Sequence, residues 1–159
     1  MLKTTKSILL VMSIFALFLP LTGSADEQEE RPFKANGQYT YVADLSVLPE
    51  VPWTIVEYIG EATHLGTFTG TGSGVTNLAT GVASGSGYFT AANGDQLNWT
   101  FRGEGGYPNP VYYTVKGGTG RFENASGTLI QWPTLISMVP DGNLLKITDG
   151  YTFEGTITY

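Results

Sequence analysis

The chain has 159 residues, 14 acidic against 8 basic ones for a formal net charge of −6, and no cysteine. Disulfides, thiol nucleophiles and a Cys-linked N-terminal lipid are therefore excluded, and so are the clustered Lys and Arg that a phosphate backbone or an anionic lipid surface needs. With 21 glycines and 13% aromatic residues, the composition favours strands and tight turns over helices.

Lys3 and Lys6 open the chain, and Ile8 to Leu21 is apolar apart from Ser13 and Pro20. The small residues of Gly23-Ser24-Ala25 follow. This layout predicts a cleaved secretory signal over 1–25, since the apolar run is shorter than the roughly 20 residues of a spanning helix. Export to the periplasm or the medium is expected, with no membrane insertion after cleavage. Residues 26–35 begin Asp26-Glu27-Gln28-Glu29-Glu30 and are expected to be an acidic, disordered tail. Residues 36–159 are enough for a single domain.

No stretch after Ala25 places apolar residues at i, i+3, i+4 and i+7, whereas two-residue alternation recurs. Strands are predicted over 37–45, 53–62, 65–72, 82–91, 95–104, 111–117, 126–137 and 143–159, the last bent or interrupted near Asp149. Leu97, Trp99 and Phe101 share one face, as do Val111, Tyr113 and Val115, and Tyr151, Phe153, Ile157 and Tyr159 through Gly155. Asn93-Gly94 is the strongest hairpin turn, followed by Pro140-Asp141-Gly142-Asn143 and Asp149-Gly150. Eight strands with short links suit an all-β, eight-stranded antiparallel barrel, with a two-sheet sandwich as the alternative. Glycines at 87, 103 and 155 are expected to leave the interior incompletely filled.

Three stretches carry a resemblance. They are Glu61-Ala62-Thr63-His64-Leu65-Gly66-Thr67-Phe68-Thr69-Gly70, Gly117-Gly118-Thr119-Gly120-Arg121-Phe122-Glu123-Asn124-Ala125-Ser126-Gly127, and the closing Phe153-Glu154-Gly155-Thr156-Ile157-Thr158-Tyr159. Together, from Tyr58 to Tyr159, the chain resembles a group of small secreted bacterial proteins with the barrel of plant allene oxide cyclases and dirigent proteins. The resemblance implies that barrel. Many members carry Arg after the His-Leu-Gly, where Thr67 stands here. No cyclase motif matches residue by residue, so the catalytic residues stay unassigned.

Chemistry-bearing residues are few. His64 is the single histidine, and without Cys it cannot build a multi-His or Cys metal centre, so no metal or cofactor is expected. Its two readings are a general base near the barrel mouth and a backbone-bonded residue that fixes the bend at Leu65-Gly66. Glu57 and Glu61 alternate on one strand, where a solvated surface competes with a paired-carboxylate site. Arg121 could clamp a ligand carboxylate or hold its own loop. Tyr107-Pro108-Asn109-Pro110 is a stiff loop that could line an entrance. The expected ligand-binding residues are Trp99, Phe101, Tyr113, Tyr151 and Phe153, with His64 and Arg121 as polar partners and Trp53 and Trp132 in the wall. These point to a non-catalytic protein that binds a small apolar or aromatic molecule. The alternatives are an isomerase or cyclase and a structural or surface-associated module with a filled barrel. Assembly into a homo-oligomer is left open.

Overall fold

The structure, a computed structural model, describes residues 29–104 and 109–159. The predicted signal, Asp26 to Gln28, and Tyr107 and Pro108 of the stiff loop lie outside the described residues. Eight antiparallel strands follow in sequence: β1 (Arg31–Asp44), β2 (Glu50–Ala62), β3 (Gly66–Asn77), β4 (Val82–Thr90), β5 (Gln96–Glu104), β6 (Val111–Gly118), β7 (Ser126–Asp141) and β8 (Leu144–Thr158). They form one closed barrel in chain order, with β8 paired back onto β1 from Arg31↔Ile157 to Asp44↔Leu144. Closure removes both sheet edges and replaces the sandwich alternative. One short 3-10 turn, Gly120–Phe122, interrupts the all-strand pattern.

The barrel begins earlier than expected. Residues 31–35, assigned above to the tail, are strand, and Phe33 and Ala35 are buried inside. The inward face of β1 reads Phe33, Ala35, Gly37, Tyr39, Tyr41 and Ala43. Its alternation is muted by small residues, so the neighbouring acidic run dominated the sequence signal. β2 keeps Val51 and Ile55 inside and then Tyr58. The odd-to-even switch is a bulge: Thr40 pairs with Glu57 while Tyr41 pairs with Ile55. Glu57 and Glu61 are exposed on the outside, as the solvated-surface reading had it.

β8 is not interrupted at Asp149. Asp149 pairs with Tyr39 of β1 and Leu135 of β7, and Gly150 with Gln38 and Thr134. Two hydrogen-bonded neighbours override the turn preference of Asp-Gly. The strand therefore turns Ile147, Asp149, Tyr151 and Phe153 to the inside, all buried. Asn93-Gly94, by contrast, is a turn, with Gly94 at φ +90°.

Glycine in β3 and β4 makes slots rather than voids. Gly72 pairs with Gly87, and Gly74 with Gly85. A Cβ on Gly72 or Gly87 would lie 2.5 Å from the Trp99 ring, and one on Gly85 would lie 2.7 Å from the Trp53 ring. The indoles occupy the space that the missing side chains leave, which corrects the expectation that Gly87 leaves the interior unfilled. A Cβ at Gly155 would likewise meet backbone, whereas one at Gly103 would meet nothing within 4 Å.

Candidate functional site

Connections 63–65, 91–95 and 119–125 lie at one end of the barrel, with Arg31 and Tyr159. Connections 45–49, 78–81 and 142–143 lie at the other, with residues 109–110. The first end is plugged by Phe33, Leu65, Leu97, Phe122 and Ile157, all at 1% exposure or less. Aromatic packing continues upward through Phe68, Phe89, Tyr58, Phe153 and Trp99.

Above this plug the interior opens into a cavity of about 220 Å³. Its wall alternates rings with small or branched residues, among them Ala43, Val51, Ala83 and Val111. The small positions leave the room that the rings do not fill. Five rings line it: Tyr39 and Tyr41 from β1, Trp53 from β2, Phe101 from β5 and Tyr113 from β6. They form a nearly continuous belt, with centroids 5.7 Å apart for Tyr39–Tyr41, 6.1 Å for Tyr41–Trp53, 5.7 Å for Trp53–Phe101 and 5.2 Å for Phe101–Tyr113. Leu45 and Leu78 line the cavity and are also 37% and 56% exposed, so the space reaches the surface at their loops. Among the described residues, no Lys, Arg or His lines it.

Thr76 and Tyr41 bring hydroxyls to the lining, and hydrogen-bonded polar groups meet in two places. At the floor, Gln131 is completely buried; it accepts from the Tyr113 hydroxyl at 3.0 Å and its amide lies 3.5 Å from the Tyr58 oxygen. At the β1–β8 wall, the Tyr39 hydroxyl donates to Asp149 Oδ2 at 3.2 Å. Asp149 is 3% exposed, and its Oδ1 has no partner among the described residues. Burial raises the pKa of Asp149, opposed in part by the Tyr39 hydrogen bond. Burial likewise pushes the phenols of Tyr39, Tyr41 and Tyr113 up, so all three are neutral donors across the ordinary pH range.

Of the residues named from sequence, Phe101 and Tyr113 line the cavity. Trp99 is buried below it, with its ring 5.2 Å from Tyr113, and its Nε1 has no partner among the described residues. Tyr151 lies under the floor and donates to the Ile59 carbonyl at 3.0 Å, and Phe153 packs 5.1 Å from Tyr113. Trp53 is in the wall as expected. Trp132 is not: it is 46% exposed, and its indole points to Glu154 at 3.4 Å. It is out of phase with Leu129 and Gln131, which face inward.

His64 and Arg121 are brought together, but at the plugged end. His64 Nε2 lies 2.8 Å from the Pro32 carbonyl, which can only accept, and Nδ1 lies 3.2 Å from the Tyr159 hydroxyl. Arg121 donates to the His64 carbonyl at 2.7 Å and lies 3.7 Å from Asp95. The pair ties the start of β1, the end of β8 and two connections together, away from the cavity mouth.

Tyr39, Tyr41, Gln131 and Asp149 were missed from sequence. The signal for the last was present, because Asp149 keeps phase with Ile147, Tyr151 and Phe153.

The site thus belongs to a closed antiparallel barrel with a plugged base and an apolar cup. No protein-family model matches the chain, and no curated protein does. Among solved structures the chain is similar to that of the pterocarpan synthase dirigent protein GePTS1, with a TM-score of 0.48 and 13% identity over 82% of this chain and 87% of that chain. A likeness at that level carries no argument about what this barrel does.

Proposed function

We propose that this chain is an exported, non-catalytic binding protein that holds one small apolar or aromatic molecule in the upper half of its barrel. The observation that carries the reading is the aromatic-lined cavity of about 220 Å³, which reaches the surface at one end. An engineered apolar cavity of about 150 Å³ holds a benzene ring, so one or two fused rings match this space. Apolar pockets with a few convergent polar groups are the usual form of a small-molecule site. The signal-like N-terminus supports export.

The test is a titration with 2-methylnaphthalene, followed by tryptophan emission with Trp53 in the wall as reporter. One saturable site is expected in the intact protein, and none in Ala83→Phe, which fills the cavity from β4. If neither this probe nor any other apolar compound saturates, the binding reading is lost and the structural-module reading takes its place.

An isomerase or cyclase is the second reading, and the Tyr39–Asp149 pair favours it, because a buried carboxyl beside an apolar guest is a candidate proton donor or acceptor. Chemical conversion of a bound guest over many turnovers, lost in Asp149→Asn, would establish it.

A further inference from the structure

The cavity joins two features that differ in chemistry. One is the belt of five rings, whose faces carry the negative part of the aromatic quadrupole. The other is a carboxyl group on the inner face of β8, one inward position below the cavity-lining Ile147 and bonded to the cavity-lining Tyr39. Asp149 is withdrawn from solvent: it is 3% exposed, and among the described residues Oδ1 has no partner. Among the described residues, no Lys, Arg or His of the cavity lining compensates it. The free protein therefore carries a desolvated, unbalanced acidic group next to a space that a guest can enter, and the carboxyl's share of the desolvation cost of an ion pair is already met by folding. Tyr39 makes the connection. Its proton is directed at Asp149, so its oxygen is left free to accept, and the carboxylate makes it a better acceptor.

We propose that the cavity selects lipophilic ammonium ions: an apolar body sits among the rings of Tyr41, Trp53 and Phe101, and a protonated amine donates to the Tyr39–Asp149 pair. This rests on the binding reading above and deepens it by naming the charge of the guest. A neutral alcohol can make the same hydrogen bond but brings neither the counter-charge nor the attraction of a cation to ring faces. The positive guest also suits a chain whose acidic residues outnumber its basic ones, 14 to 8.

Three probes of one size separate the contributions: 2-naphthylmethylammonium, 2-naphthylmethanol and 2-methylnaphthalene, each titrated into the intact protein at pH 7. The ammonium is expected to bind about tenfold more tightly than 2-methylnaphthalene, with the alcohol close to the hydrocarbon. Asp149→Asn should bring the ammonium-to-hydrocarbon ratio near one, and Tyr39→Phe should reduce it. Equal binding of ammonium and hydrocarbon by the intact protein overturns the proposal while leaving the binding reading in place, as does an alcohol that binds as tightly as the ammonium. If none of the three binds, both readings fall. The comparison among probes needs only the unmodified protein, so a poorly folding variant does not remove the test.

Discussion

The two ends of the barrel are built from the same strands and differ in what those strands turn inward. At the plugged end Phe33, Leu65, Leu97, Phe122 and Ile157 fill the interior, and His64, Tyr159, Arg121 and Asp95 fasten the connections over it. At the mouth the inward positions include Ala43, Val51 and Ala83, and the β7–β8 hairpin extends with Leu135, Ile136, Met138, Val139 and Leu144 exposed. An eight-stranded barrel is just wide enough to be filled by side chains or to hold one small guest. In this chain one end is filled by side chains and the other leaves a cavity. Side-chain volume, not strand number, decides which half is closed.

The comparison can be broken most sharply by deleting one ring from each end. Phe122→Ala removes a ring with no exposure from the plug and is expected to cost about 3–5 kcal/mol. Phe101→Ala removes a half-buried ring that already faces open space, so the expected loss is smaller, about 1–2 kcal/mol. Urea melts of the two variants decide it; equal costs would mean that the mouth is packed as tightly as the base. Adding volume gives the converse. Ala125→Phe in the plug should destabilise by about 1–3 kcal/mol through overpacking. Ala83→Phe at the cavity should be close to neutral in the same melts.

A smaller effect is expected at the fastening. His64→Gln should cost no more than about 1–2 kcal/mol through weakened hydrogen bonds to Pro32 and Tyr159. Binding of 2-methylnaphthalene should not change, because His64 is remote from the mouth. Lost binding with an unaltered melt would mean that the two ends communicate.

The strands whose bounds were legible in the sequence are β5 and β6, with large inward positions, and β4 and β8, which turn residues bracket. Leu97, Trp99 and Phe101 define β5, and Val111, Tyr113 and Val115 define β6, each placed to within a residue of the predicted bounds. β1 and β3 run beyond the predicted 37–45 and 65–72 through Ala35 and Gly74, inward positions with little or no side chain. Glycine opposite an indole is as much a core position as leucine, but only the partner strand reveals it. The same holds for the site. Phe101 and Tyr113 could be named from alternation. That Trp99 fills the slot between Gly72 and Gly87 and so stays out of the cavity depends on the β3–β4 register. Asp149 was hidden by its neighbour: Asp-Gly signals a turn locally, and two flanking strands hold it extended.

The smallest expected effect on stability, and one whose sign is informative, is that of Asp149 at the mouth. Burial raises its folded-state pKa above the ordinary carboxylate value of 3.8. Between 3.8 and that raised pKa, the folded chain holds a proton that the unfolded chain has released. Stability contributed by this group therefore increases as pH falls through the raised value and levels off below 3.8. Above the raised pKa the buried charge opposes folding in full. Asp149→Asn keeps an oxygen to accept from Tyr39 and removes the charge, so it should raise the melting temperature at neutral pH. Its advantage should shrink on acidification and vanish below about pH 4. Asp44, at the end of β1, has the opposite sign: its hydrogen bonds with Ser46 lower its pKa, and that stabilisation is lost as pH falls. Both chains keep Asp44, so subtracting the variant's melting curve from that of the intact protein cancels it. A difference that stays constant from neutral to acidic pH would show that Asp149 is solvated, and with it would go the contrast between a dry, uncompensated carboxyl at the mouth and the fastened polar groups at the base.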